Sequence, residues 1–284
     1  GSGSGTSYTS NTITNKGTLT LESGTIENTC STHTPHNGLP YAIDNQSGSS
    51  AASLTITGGT VDCKAYSAIR LYCNSTANTN SATISGGTIR GCVEYQGVSS
   101  GVYGSLTITG GNFGPNAVPM KRSLLVFGKK NQNYDCRNMT CSITGGTFER
   151  LVQAVSDAIN FNGSTPFITG GTYKNGQYNN QTFDNNPSDY VSENGTKRIV
   201  KRDGNADTNY VYTVLPKSNL TSGVYLSDPS DALAPNYYVS STANGVWTVS
   251  YSGSDPTYAI GGTVGGLLLA AGSTNAPAPT LDAD

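Results

Sequence analysis

The chain has 284 residues, of which only 12% are charged, a net charge of −2, and 35 glycines. That balance excludes a basic footprint for nucleic acid and a strong field of either sign. Abundant Gly, Ser, Thr and Asn suit short strands and corners rather than helices, and no signal peptide is recognisable.

Residues 1–16 open on Gly1-Ser2-Gly3-Ser4-Gly5 and are expected to form a flexible segment. From residue 17 to 175 one phrase recurs six times: Leu19 to Ile26, Leu54 to Val61, Ala82 to Ile89, Leu106 to Phe113, Cys141 to Phe148 and Pro166 to Tyr173. A strand-turn-strand unit that cannot bury its own apolar face must stack on its copies. The second residue of each turn pair falls at Gly24, Gly59, Gly87, Gly111, Gly146 and Gly171, at steps of 35, 28, 24, 35 and 25 residues. These steps fit one coil of a parallel β-helix with two or three short strands. The expected fold is therefore all-β, a parallel β-helix (β-solenoid) of about five to six coils with a C-terminal β-hairpin cap region.

Period-two alternation sets three inward columns. They run Leu19, Leu54, Ala82, Leu106, Cys141; then Leu21, Ile56, Ile84, Ile108, Ile143, Ile168; then Ile26, Val61, Ile89, Phe113, Phe148, Tyr173. Between the second and third columns the glycine pair turns the chain at the same corner of each coil. A third strand per coil is expected at Ala42 to Asp44, Ala68 to Tyr72, Val93 to Tyr95, Leu124 to Phe127 and Ala158 to Phe161.

Six cysteines, Cys30, Cys63, Cys73, Cys92, Cys136 and Cys141, include no CxxC pair. An even count with only two histidines favours disulfides and an oxidising compartment over zinc. Cys30 to Cys63 and Cys63 to Cys92 are both feasible staples between stacked coils, the second preferred, and Cys141 can equally be a buried thiol. His33 and His36 cannot complete a zinc shell alone, and no cofactor is expected. Seven N-x-Ser/Thr sequons stand at Asn45, Asn74, Asn138, Asn162, Asn180, Asn194 and Asn219.

Past Tyr173 the pattern changes, and residues 176–250 are expected to hold two related β cap modules. Each passes through Pro-Ser-Asp (Pro187 to Asp189, Pro229 to Asp231) to a strand ending Tyr212-Thr213-Val214 or Trp247-Thr248-Val249. Asn244-Gly245 is a two-residue hairpin signal between Tyr237-Tyr238-Val239 and that last strand. Repeated ITGGTF-like coils followed by this Pro-Ser-Asp to Tyr-Thr-Val unit resemble the parallel β-helix surface proteins of anaerobic gut Gram-positive bacteria. The resemblance covers roughly residues 17 to 250 and implies a secreted or cell-surface location more than an activity. The cysteines and the last stretch depart from it.

Residues 251–284 hold an apolar stretch, Tyr258 to Gly272, and a Pro/Ala-rich tail. The stretch is too short and too broken by glycine for a transmembrane helix, so no membrane span is expected. Ile260, Val264, Leu267, Leu268 and Leu269 are candidates for a strand that pairs within the chain or adds to a neighbouring subunit.

The outward positions weigh three functions. Clustered carboxylates would indicate a polysaccharide lyase or glycoside hydrolase of the pectin-lyase-like kind. Here Asp44, Arg70 and Glu94 give one charge per coil, and Glu27, Asp62, Arg90, Glu149 and Lys174 mix signs, which speaks for solvated cross-strand pairs. Thr55-x-Thr57, Thr83-x-Ser85, Thr107-x-Thr109 and Ser142-x-Thr144 form a hydroxyl array like that of ice-binding solenoids. Unequal coil lengths are expected to spoil its flatness. The favoured expectation is a non-catalytic extracellular structural or adhesive solenoid, a rod or filament subunit assembling through its C-terminal strand. Its partners would be further copies of itself, a host glycan or a surface protein, and Tyr237, Tyr238, Trp247 and Tyr251 form the candidate contact patch.

Overall fold

The computed structural model describes residues 11–30, 40–64, 66–114, 122–127, 135–154, 166–178, 180–192, 198–204 and 209–216. It also gives the backbone of strands at 223–226, 237–241, 246–251, 257–261 and 268–270. Five strand triples follow one another. They are β1 (Ile13–Asn15), β2 (Thr18–Leu21) and β3 (Thr25–Asn28); β4 (Ile43–Gln46), β5 (Ala52–Ile56) and β6 (Thr60–Cys63); β7 (Ile69–Cys73), β8 (Asn80–Ile84) and β9 (Thr88–Arg90); β10 (Val93–Gly97), β11 (Gly104–Ile108) and β12 (Asn112–Phe113); and β13 (Arg122–Val126), β14 (Met139–Ile143) and β15 (Thr147–Phe148). A further rung has β16 (Leu151–Ala154), an isolated bridge at Ile168, and β17 (Thr172–Lys174). The first members of the triples form a six-stranded parallel sheet ending at β16, the second members a five-stranded one, and the third members begin a longer sheet. The protein is thus a parallel β-solenoid.

The three inward columns stack as the alternation requires. Leu19 pairs with Leu54, Leu54 with Ala82, Ala82 with Leu106 and Leu106 with Cys141. In the third column Phe113, Phe148 and Tyr173 lie face over face, with ring centroids 4.8 and 4.9 Å apart. Each fully buried Leu, Ile or Phe here contributes about 1.5–3 kcal/mol relative to exposure. Large and small residues compensate inside the core: Tyr95 projects inward, and a Cβ at Gly104 would lie 2.6 Å from its hydroxyl and 2.7 Å from the Cys73 sulfur.

The corner glycines serve two separate purposes. Gly87 turns at φ +80, a region costly for other residues. A Cβ on its neighbour Gly86 would lie 2.2 Å from the carbonyl oxygen of Thr57 in the coil before, so that position is glycine because two backbones touch.

Two sheet elements differ from expectation. The last strand of the first sheet is β16, beginning three residues after Phe148 rather than at 158–161, which lie outside the described residues. The register shifts between Arg122 and Leu124, and Val152 then meets Leu124 directly, so the chain needs no longer excursion. The first strand, β1, falls inside the N-terminal segment expected to be flexible and pairs with β4 through Ile13 and Ile43.

The parallel stack ends where β20 (Arg198–Asp203) and β21 (Val211–Pro216) form a hairpin. β21 runs antiparallel to β17, setting Tyr212 opposite Tyr173. β18 (Gly176–Tyr178) and β19 (Gln181–Phe183) form a separate hairpin, followed by a 3-10 turn at Ser188–Tyr190. The third sheet continues through β22 (Gly223–Leu226), β23 (Tyr237–Ser241), β24 (Val246–Tyr251), β25 (Thr257–Gly261) and β26 (Leu268–Ala270), all antiparallel. Val239 meets Val249 in the hairpin that Asn244-Gly245 signals. β25 pairs with β24, so the apolar C-terminal stretch joins its own chain's sheet. In that stretch Ile260 meets Trp247 on one side and Leu269 on the other, and Leu268 meets Gly261. Val264 and Leu267 lie outside the described residues.

Candidate functional site

On the first sheet the outward positions of successive strands share one row, with Asp44 beside Arg70 and Arg70 beside Glu94. At about 4.8 Å per strand, three charges that read as dispersed in sequence become neighbours. The Arg70 guanidinium grips Asp44 in a fork, Nε to Oδ1 at 2.8 Å and Nη2 to Oδ2 at 2.5 Å. Asn11 and Gln46 also donate to Asp44 Oδ2, at 2.8 and 2.5 Å. The guanidinium lies 4.6 Å from the Tyr41 ring centroid and 4.4 Å from that of Tyr72. Burial works against its charge, but the pairing with Asp44 prevails and raises its pKa.

Glu94 closes the row. It accepts from Ser67 Oγ at 2.6 Å, from the Tyr41 hydroxyl at 3.3 Å, and from Gln96 Nε2. Burial pushes its carboxyl above the usual range, partly offset by its hydrogen bonds with Ser67, Tyr66 and Tyr41 and by the Arg70 charge. Burial together with the Glu94 charge likewise raises Tyr41 and Tyr66. Asp44 is 0% and Glu94 2% exposed. A glycosidic acid/base pair must reach substrate and water. In this row both carboxylates are shielded and occupied by neighbouring donors, so the row braces three coils from within.

The second sheet presents a different surface. Thr20, Thr55, Thr83, Thr107 and Ser142 pair in unbroken register, and Thr18, Ser53, Ser81, Ser105 and Thr140 form a parallel column beside them. A third column of Thr57, Ser85, Thr109 and Thr144 borders the glycine corner. All are exposed or half-buried. Apart from a Ser81 bond to Ala52 O, the hydroxyls of these columns make no hydrogen bond among the described residues. The unequal coil lengths are absorbed in loops, so the strand register of the array is unbroken from β2 to β14. β-Branched threonine on a strand needs no function to explain it, yet an uncharged lattice of unspent donors and acceptors is chemically competent to bind a polar polymer. No protein-family model, curated protein or solved structure matches the chain.

The remaining candidates fall as follows. The described residues contain no disulfide, which corrects the expected pairing of Cys30, Cys63, Cys73, Cys92, Cys136 and Cys141. Among the cysteines that lie in paired strands, none stands opposite another. Cys63 is opposite Asn28, Cys73 opposite Gly97, and Cys141 opposite Leu106, while Asp62 opposite Arg90 leaves Cys92 out of step with Cys63. Burial pushes the Cys136 thiol up to about 11 and raises Cys73, Cys92 and Cys141 further.

Asn45 is 0% exposed and bonded to Asn15 and Asn80 at 2.5 and 2.6 Å, which leaves no room for a glycan in the folded chain. Asn74 and Asn180 are exposed and Asn138 is half-buried, while Asn162, Asn194 and Asn219 lie outside the described residues. His33 and His36 also lie outside them, and no group of three metal-ligating side chains occurs among the described residues. No described helix is long and apolar enough to cross a membrane. Glu27 and Lys64 form a half-exposed cross-strand group around the buried Asp62, and Glu149 and Lys174 form a half-exposed pair. Tyr237 is set opposite Tyr251, Trp247 opposite Ser241, and Tyr238 opposite Ser250.

Proposed function

We propose that this chain is a non-catalytic, extracellular structural or adhesive β-solenoid, akin to the gut bacterial surface proteins its repeats resemble. Its contact surface is the hydroxyl face of the second sheet. The observation that carries this reading is the in-register, uncharged array centred on Thr55, Thr83 and Thr107. It runs unbroken across five strands, suited to many weak polar contacts along a polymer, and the two carboxylates of the first-sheet row, Asp44 and Glu94, are enclosed. Assembly through the C-terminal segment would use β26, the edge strand of the third sheet, because β25 is paired on both sides within its own chain.

The test is retention of labelled protein on a panel of insoluble polysaccharides, with the supernatant assayed for released oligosaccharides. Retention without product is expected, falling about tenfold or more in a Thr55→Asp/Thr83→Asp/Thr107→Asp variant of unchanged melting point, for a loss near 1.4 kcal/mol. Soluble product that disappears with Asp44→Asn would instead establish an enzyme.

The two-dimensional regularity favours ordered water as a second partner. Hydroxyls repeat about every 4.8 Å across strands and about 6.8 Å along them, and thermal hysteresis that the same triple variant abolishes would identify ice as the surface bound.

A further inference from the structure

At the corner between the second and third sheets the last coils leave a depression of about 550 Å³, within the range of about 300–1,000 Å³ typical of ligand sites. Its floor is backbone. A Cβ at Gly170 would lie 2.2 Å from the Thr144 carbonyl oxygen, so no side chain can be placed there to fill the space above. Thr144 and Thr169 form one bank, and Thr147, Thr172 and Thr213 the other. Thr213 belongs to this bank because the cap strand β21 adds to β17 with Thr213 opposite Thr172. Earlier corners have the same glycines but lack this wall.

The cap also brings Arg198 into the lining. Its Nε is buried and makes no hydrogen bond, and no carboxylate pairs with it among the described residues. Elsewhere Arg70, Arg90, Arg137, Lys64, Lys174 and Lys201 each have an acidic partner. No acidic residue lines the depression. A buried, unspent guanidinium donor is costly unless a ligand completes it, and its planar fork matches a carboxylate. Thr144, Thr147, Thr172 and Thr213 make no side-chain hydrogen bond among the described residues, so their hydroxyls stand ready for a polyhydroxylated ring.

We infer that this depression binds a carboxylate-bearing saccharide, a sugar acid held by Arg198 with its ring hydroxyls against the threonine banks. The inference deepens the adhesive reading, on which it rests, by giving it a charged recognition point at the end of the hydroxyl face, with which it shares Thr144.

The experiment is titration of the full chain with glucuronate- and sialate-terminated oligosaccharides, their neutral carboxyl-reduced counterparts, and sodium acetate. Wild type is expected to bind the acidic oligosaccharides, and more weakly as salt rises. Arg198→Gln should weaken that binding about tenfold to a hundredfold, the equivalent of a charge-assisted hydrogen bond of about 1.5–3 kcal/mol. Arg198→Lys, which keeps the charge without the fork, should fall between, and Thr172→Val should weaken binding a few-fold. The Thr55→Asp/Thr83→Asp/Thr107→Asp variant should bind the acidic oligosaccharides like wild type, which separates this site from the face. Equal affinity in wild type and Arg198→Gln at unchanged melting points, equal affinity for the neutral counterparts, or acetate binding as tight as the sugar acids would each overturn the inference. None of those results would alter retention on neutral polymer, the measure of the adhesive reading. Retention lost with sugar-acid binding intact would sink that reading alone.

Discussion

Arg70→Met tests whether the buried row braces the coils. The substitution keeps much of the side-chain length but removes the fork to Asp44, whose side chain is fully shielded while that of Arg70 is 21% exposed. Asp44 would retain only the Asn11 and Gln46 donors, and the contacts over Tyr41 and Tyr72 would lose their charge. Breaking a buried ion pair by removing one partner costs about 3–5 kcal/mol, because an uncompensated charge stays behind. In a domain of about 150–250 residues each kcal/mol moves the melting point about 2–4 °C, so a fall of about 6–20 °C is expected. The assay is urea and thermal unfolding followed by circular dichroism, with Asp44→Asn and the Asp44→Asn/Arg70→Met double variant completing a cycle. The double variant should lose less than the sum of the singles. As a control, Lys174→Met breaks a half-exposed pair with Glu149 and should cost about 1 kcal/mol or less. An Arg70→Met loss as small as the control's, or strict additivity in the cycle, would show that the row carries no brace.

Glu94 should make stability depend on pH in a definite direction. Its folded pKa lies above the ordinary 4.5, so the native state holds the proton more tightly than the unfolded state, and stability falls as pH rises from about 4.5 through the folded value. Glu94→Gln should flatten that part of a melting-point profile against pH; an identical slope in wild type and variant would exclude Glu94 as the source. Gly86→Ala should cost about 1–3 kcal/mol in urea unfolding by driving a Cβ into the Thr57 carbonyl, whereas Gly48→Ala meets nothing within 4 Å and should be close to neutral. Cys73 and Cys92 should resist iodoacetamide at pH 8 in the native state and react once the chain is denatured without reductant, as peptide mass mapping would show. Rapid native labelling of Cys92 would contradict its burial.

The solenoid was legible because its grammar is local. Alternation with period two, interrupted at one fixed corner by Gly-Gly, defines inward columns without any long-range information, and the Leu21 to Ile168 column appears rung by rung in the structure. The buried row was harder, because its meaning depends on register between strands separated by loops of unequal length. Asp44-x-Gln46, Arg70-x-Tyr72 and Glu94-x-Gln96 do repeat a polar i, i+2 pair on the same strand of three coils, and that repetition was the available signal. Tyr41, Tyr66 and Ser67 come from strand-flanking positions with no repeat to announce them. The cysteines misled for the opposite reason: proximity to a shared corner is not registry, and a one-residue offset suffices to aim sulfur at a neighbour's backbone. Arg198 was invisible because its setting exists only once the cap hairpin reverses direction against β17.

That reversal also sets how such a molecule can change length. Within the stack every rung offers its successor the same parallel hydrogen-bonding pattern and the same glycine corner, so a duplicated coil inserted between the rungs of β5 and β11 would find matching surfaces above and below. Beyond β21 it would not, because an antiparallel strand offers alternating narrow and wide bond pairs that no parallel coil can continue. The fold therefore leaves the number of repeats open to gain and loss while fixing the place where they stop, and any such gain would lengthen the hydroxyl face without disturbing the terminal groove.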